Sequence, residues 1–260
     1  MSAEPLLQHA WFLMPVAALM LGVVALAPLG AQVLARGVVF IDLAVAQAAA
    51  AAALWATSFL HHPDWLSMQA LAVAGALGCA GTVALLSRRW PEQREALIGL
   101  LYVLGASFAL LGARQDPHGR ERLSELLAAD LLWAQWPQVA VLAVCAAGVL
   151  LLGRALARDG VFFPVFAVVA SLAVPVLGLF LVFAALIAPA LWQRAGVSRA
   201  LACAGSVAAC GAGLAASWAF DAPSGACVAV ALSAFGALAA LRKVDGRRPS
   251  TPPITLEKQR

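Results

Sequence analysis

Asp42 stands six residues after Arg36 in the run Arg36-Gly37-Val38-Val39-Phe40-Ile41-Asp42-Leu43-Ala44-Val45-Ala46-Gln47, a carboxylate inside an otherwise apolar stretch. A carboxylate at the centre of a membrane helix costs roughly 2.5 to 3.5 kcal/mol on insertion scales, so it must face a cavity or a partner. Two roles are open to it: a weak stop for a passing cation, or an internal partner of Arg36 or of a backbone group near the interface. Gln47 follows five positions later, about 140° further round a regular helix, so the two cannot share one face. Gln47 is then either glue between helices or a ligand. Asp130 lies in the apolar stretch 126–133, too short to span and followed by Pro137. That stretch suits an interfacial or re-entrant helix in which Asp130 caps, pairs or faces a vestibule, with Trp133 and Trp136 as headgroup anchors.

Outside the apolar stretches, His61, His62 and Asp64 bring two imidazoles and a carboxylate together, as do His118 and Asp116 in another loop. Such groups suit first-row divalent ions, and equally serve as solvated interfacial residues. The segment 87–95 mixes both charge signs around a helix start, with Arg88, Arg89, Glu92, Arg94 and Glu95. It either docks a soluble partner by complementary charge or simply sets orientation. No G-x-x-x-x-G-K-[ST] loop is present, so the chain has no such site for nucleotide hydrolysis, and no Ser/His/Asp or paired-carboxylate arrangement suggests an enzyme. Cys79, Cys145, Cys203, Cys210 and Cys227 form no C-x-x-C pair and read as packing thiols.

The elements that hold these residues must be membrane helices. Hydrophobic residues make up 63% of the 260 and charged residues 12%, with a mean hydropathy of +0.90, against roughly 25% charged in a soluble domain. The backbone in lipid must satisfy itself, and Ala/Leu/Val-rich sequence without period-2 alternation does so as helix. The fold class is therefore all-α, a polytopic helical membrane protein with about eight to nine transmembrane helices in one bundle. Spans are expected near 10–34, 38–60, 67–87, 95–113, 136–157, 161–174, 176–192, 198–218 and 225–241. The sixth and seventh, interrupted at Pro175 and Gly178, form one long kinked helix or two short ones. Residues 1–243 make the transmembrane domain and 244–260 a polar, disordered cytoplasmic tail.

Charge fixes the expected orientation. Arg36, the Arg88 to Arg94 group, Arg154 and Arg158, Arg194 and Arg199, and the Arg242 to Arg248 group fall in alternate loops, which the positive-inside rule puts in the cytoplasm. Arg114, Arg120 and Arg122 run against the bias. The net charge of +4 is spread over short loops and the tail, a pattern of membrane orientation and not of nucleic-acid binding.

Several stretches, in order along the chain, resemble the permease subunits of metal-type ABC importers, which take up zinc and manganese. Residues 35–47 resemble the turn into a second helix bearing a G-D-A-L-S-H type motif, with Asp42 on its aspartate. Arg94-Glu95-Ala96-Leu97-Ile98-Gly99 is similar to the segment where an acidic residue opens a helix ahead of a glycine. Ala129-Asp130-Leu131-Leu132 looks like G-D-I-L, residues 177–190 like V-G-x-x-L-V-x-A-L-L-I-x-P-A, and Asp221-Ala222-Pro223-Ser224-Gly225-Ala226 like D-x-P-S-G-A. Two places depart from the pattern. Ala46 replaces the histidine one turn after the aspartate, and no span contains histidine. In place of the F-D-P-E type coupling segment stands Ala157-Arg158-Asp159-Gly160-Val161-Phe162-Phe163-Pro164.

The resemblance implies a homodimeric permease in a bacterial plasma (inner) membrane, with a separate ATP-binding cassette ATPase subunit and an extracytoplasmic metal-binding protein. It implies no permanently bound cofactor, since the divalent metal ion is cargo. Asp42, Gln47 and Asp130 become path candidates, with His61, His62, Asp64 and His118 as outer-loop candidates. Arg88, Arg89, Glu92, Arg94, Glu95, Arg158 and Asp159 become candidates for ATPase coupling.

Overall fold

A computed structural model describes residues 10–59, 65–115, 119–127, 129, 131 and 134–244. His61, His62, Asp64, His118, Asp130, Trp133 and the tail beyond Val244 lie outside them. The described residues form ten α-helices and one 3-10 turn. In chain order these are α1 Ala10–Arg36, α2 Ile41–Phe59, α3 Trp65–Arg89, α4 Arg94–Ala113, α5 Gly119–Leu127, α6 Trp136–Leu152, the 3-10 turn Gly153–Ala157, α7 Asp159–Leu177, α8 Leu179–Arg194, α9 Arg199–Phe220 and α10 Ser224–Val244. Six are long and apolar enough to cross a bilayer, and α2, α8 and α10 contain shorter apolar helices. The chain is an all-α multi-pass bundle.

The nine apolar helices alternate in direction. The end of α1, the start of α2, the end of α3, the start of α4, the 3-10 turn, the start of α7 and the end of α8 are joined to one another by hydrogen bonds or side-chain contacts. They therefore share one face, to which Arg36, Arg88, Arg89, Arg94, Arg154, Arg158, Arg194 and Arg199 belong. Arg114 and α5 lie at the opposite face.

Helices α1, α2, α7 and α8 form the buried interior, while α3, α4, α6, α9 and α10 pack around them with apolar outer faces. Small residues allow the closest approaches: a Cβ at Gly30 would overlap the Leu186 carbonyl, so α1 and α8 touch backbone to backbone.

The region interrupted at Pro175 and Gly178 is two helices. Gly178 takes φ 80°, ψ 151°, a conformation that side chains rarely adopt, and it separates α7 from α8 as a single residue. Both far ends are tied to the end of α1, through Arg36 to Asp159 and through Arg194 to the Leu34 carbonyl. The pair is thus a narrow V. Its apex sits at the level of Gly22, which the Leu177 side chain touches, about 21 Å of helix away from Arg36. Helix α5 packs over the apex against both arms.

Candidate functional site

Helical spacing puts Asp42, Ala46, Ala49 and Ala53 on one face of α2. Ala46, Ala49 and Ala53 line a cavity of about 130 Å³ closed by Gln69 and Met68 of α3, Ser171 and Pro175 of α7 and Leu126 of α5. Asp42 lies one turn below Ala46, toward the arginine-rich face. It is 1% exposed, and neither carboxylate oxygen has a hydrogen-bond partner. Arg36 is engaged elsewhere, so it is not the partner of Asp42.

The polar groups of the cavity follow from one proline. Pro175 has no N–H, which leaves the Ser171 carbonyl without its helical donor. Gln69 Nε2 approaches that carbonyl at 3.5 Å, and Ser171 Oγ donates to the Val168 carbonyl at 3.0 Å. Neither Gln69 nor Ser171 was singled out in the sequence, although a serine four residues before an intramembrane proline is a readable signal.

Below Asp42, Glu95 opens α4 and accepts the Val39 N–H on Oε1 at 2.8 Å. Its Oε2 is buried without a partner, as is Ser87 Oγ near the end of α3. The buried side-chain atoms left unpaired among the described residues are therefore all oxygens, and all belong to helix ends on the arginine-rich side. Gln47 is turned away from this line: its Cβ packs against Gly105 of α4.

At the arginine-rich face, Arg36 organises the joint between α1, the 3-10 turn and α7. Its Nε donates to Asp159 Oδ1 at 2.9 Å, Nη1 to Gln32 Oε1 at 2.7 Å, and Nη2 to the Leu156 and Ala157 carbonyls at 3.1 and 2.9 Å. Its guanidinium also lies 4.3 Å from the centre of the Phe162 ring. Arg88 stands 3.7 Å from the other Asp159 oxygen. Arg88, Arg89, Glu92 and Arg158 are exposed, while Arg94, Glu95 and Asp159 are half-buried. Arg94 packs against Gly37, so with Glu95 it clamps the α1–α2 turn.

A larger apolar cleft, about 830 Å³, opens between α4, α8 and α10, with Leu43 of α2 on its wall and the Tyr102 and Ser233 hydroxyl-bearing side chains at its rim. No described cluster of three or more His, Cys, Asp or Glu could hold a metal ion tightly.

No protein-family model and no curated protein matches the chain. Its fold is similar to a chain in the structure of PsaBC from Streptococcus pneumoniae in complex with Fab, with a TM-score of 0.68 over 88% of this chain and 90% of that one. Sequence identity between them is 15%, so what they share is the helical architecture.

Proposed function

We infer that this chain is the membrane-spanning permease subunit of an ATP-driven importer for a divalent metal ion, zinc or manganese, delivered by an extracytoplasmic binding protein. The observation that carries this is the buried, unpartnered Asp42, one turn of α2 below a largely apolar cavity that Gln69 and Ser171 border, in a fold like that of a PsaBC chain. The ordered sequence resemblance to metal-type ABC importer permeases supports the same reading.

In this mechanism the ion enters from the face opposite the arginines, beside α5, and meets Gln69 and Ser171 first. It then follows the alanine face of α2 to Asp42, about 16 Å from Ala53 along the helix axis. Weak stops suit transport because a site that binds too well does not release. ATP hydrolysis belongs to a separate chain docked on the arginine-rich face, where Arg88, Arg89, Glu92 and Arg158 offer both signs of charge. The Arg36 joint relays its movement into α1 and α7. The exposed apolar face of α4 and the adjoining cleft suit a second copy of the chain. The host is a bacterial plasma membrane.

The test is uptake of labelled zinc and manganese by vesicles holding the chain with its ATPase, comparing Asp42→Ala with the parent. ATP-dependent uptake lost in the variant supports the assignment. A carrier of another solute is the second reading, favoured by Ala46 in place of histidine. Gradient-driven uptake without an ATPase would establish it instead.

A further inference from the structure

The seam between α3 and α7 opens into a groove near the arginine-rich face. Further from that face α3 is shut against its neighbour: a Cβ at Gly75 would overlap the Ala48 carbonyl of α2. At Gly81, and at Gly160 of α7, an added Cβ would meet nothing within 4 Å. The groove that Gly81 and Gly160 line holds about 280 Å³, with the buried Ala80 and Phe163 against its floor and the exposed Leu77 and Leu85 at its lip. Arg88 and Asp159 line its arginine-side end.

Its dimensions choose the occupant. Leu77 lies eleven residues along α3 from Arg88, about 16 Å of helix, which is about the depth of one leaflet of a bilayer core. A volume of about 280 Å³ spread over that length is the girth of one hydrocarbon chain, and a helix of about 10 Å diameter does not fit it. Trp90, exposed just past the end of α3, is the residue type that settles at headgroup level. Arg88, two residues before it, therefore stands at the depth of a lipid phosphate.

Charge selects the headgroup. Asp159 gives Oδ1 to Arg36 at 2.9 Å, and Arg88 stands 3.7 Å from Oδ2, beyond hydrogen-bond length. Arg36, Arg88, Arg89 and Arg158 outnumber Asp159 and Glu92 around this end of the seam. The exposed Arg88 guanidinium thus has donors to spare for a phosphate.

We propose that the α3–α7 groove seats one anionic phospholipid from the leaflet on the arginine-rich side, its phosphate on Arg88 and one acyl chain along Gly81 and Phe163. Basic pockets between membrane helices recognise such headgroups by charge. The proposal goes beyond the importer reading and stands on the bundle's place in a membrane alone. A phosphate that draws Arg88 from Asp159 leaves that carboxylate to Arg36, so the seat links lipid charge to the joint between α1 and α7.

The experiment is native mass spectrometry of the full chain in detergent with added phosphatidylglycerol or phosphatidylcholine, with thermal melting of each variant as the folding check. One phosphatidylglycerol retained per chain, held about fivefold more strongly than phosphatidylcholine, supports the proposal, the factor expected of one arginine at an anionic headgroup. Arg88→Gln should erase that preference. Gly81→Leu, which fills the groove where no neighbour stands, should lower retention of both lipids, and it carries the test if Arg88→Gln fails to fold. Gly148→Leu on α6, equally unobstructed, should retain lipid as the parent does. Equal retention of the two lipids by the parent, a preference that survives Arg88→Gln, displacement by inorganic phosphate, or Gly81→Leu and Gly148→Leu behaving alike overturns the proposal. Absence of ATP-dependent metal uptake defeats the importer reading and leaves this one standing, so the two fail separately.

Discussion

Arg36 at the end of α1 reaches Asp159 at the start of α7, 123 residues later, and holds its carboxylate at 2.9 Å. The guanidinium fork serves six acceptors and neighbours at once: a carboxylate, an amide oxygen, three backbone carbonyls and an aromatic face. The joint therefore depends on geometry as much as on charge.

Arg36→Lys is expected to destabilise the bundle by about 1.5–3 kcal/mol, because an ammonium cannot serve that fork and charge-assisted bonds to backbone carbonyls are lost. Asp159→Asn should cost less, about 1 kcal/mol or below, since Asp159 is 43% exposed and its attraction is screened by water. Thermal melting in detergent ranks the two, and equal losses would contradict the hub description.

Asp42 is expected to separate stability from transport. Its carboxyl oxygens are buried without partners, so Asp42→Leu should raise stability by about 1–3 kcal/mol, the usual cost of an unsatisfied buried group. Uptake in the same variant should fall by about tenfold or more. A variant that melts lower than the parent would mean that Asp42 has a structural partner.

Glu95 holds the turn before Asp42 through a single acceptor atom. Glu95→Gln keeps an oxygen for the Val39 N–H and should melt close to the parent. Glu95→Ala should lose about 1 kcal/mol. Melting curves for both variants, read beside uptake, distinguish the clamp from a contact with the proposed ATPase.

Gly178→Ala should destabilise by about 1–2 kcal/mol, because φ 80° with ψ 151° is a backbone conformation essentially confined to glycine. Gly148→Ala on α6, where no atom lies near the added methyl, should be neutral or slightly stabilising, by up to about 1 kcal/mol. The two melts together test whether the corner, and not merely the loss of a glycine, matters.

Alternation of nine helices predicts sidedness. In a cysteine-free background, Arg89→Cys and Arg199→Cys should react with an impermeant thiol reagent from one side of the membrane, and Gln115→Cys from the other. Reaction of Arg89→Cys and Arg199→Cys from opposite sides would refute the nine-crossing order.

Span positions were readable because lipid enforces helix wherever sequence is apolar and unbroken, and α3 or α9 needed nothing more than their flanking arginines. The interruption at 175–178 was visible in Pro175 and Gly178, but residue type alone does not say whether a chain bends or reverses. That is decided by the φ of Gly178 and by ties to α1 more than a hundred residues away. Asp42 was legible because a carboxylate among alanines needs an explanation. Gln69 and Ser171 were not, since their importance comes from which helix faces meet. The Arg36 to Asp159 contact was hidden for the same reason: Asp42, six residues away, was the nearer carboxylate in the sequence.

The α7–α8 corner has a mechanical consequence. One residue, Gly178, separates two helices whose far ends are both tied to the end of α1. Neither arm slides along its axis without dragging the other, so a push at Asp159 reaches Arg194 by way of Gly178.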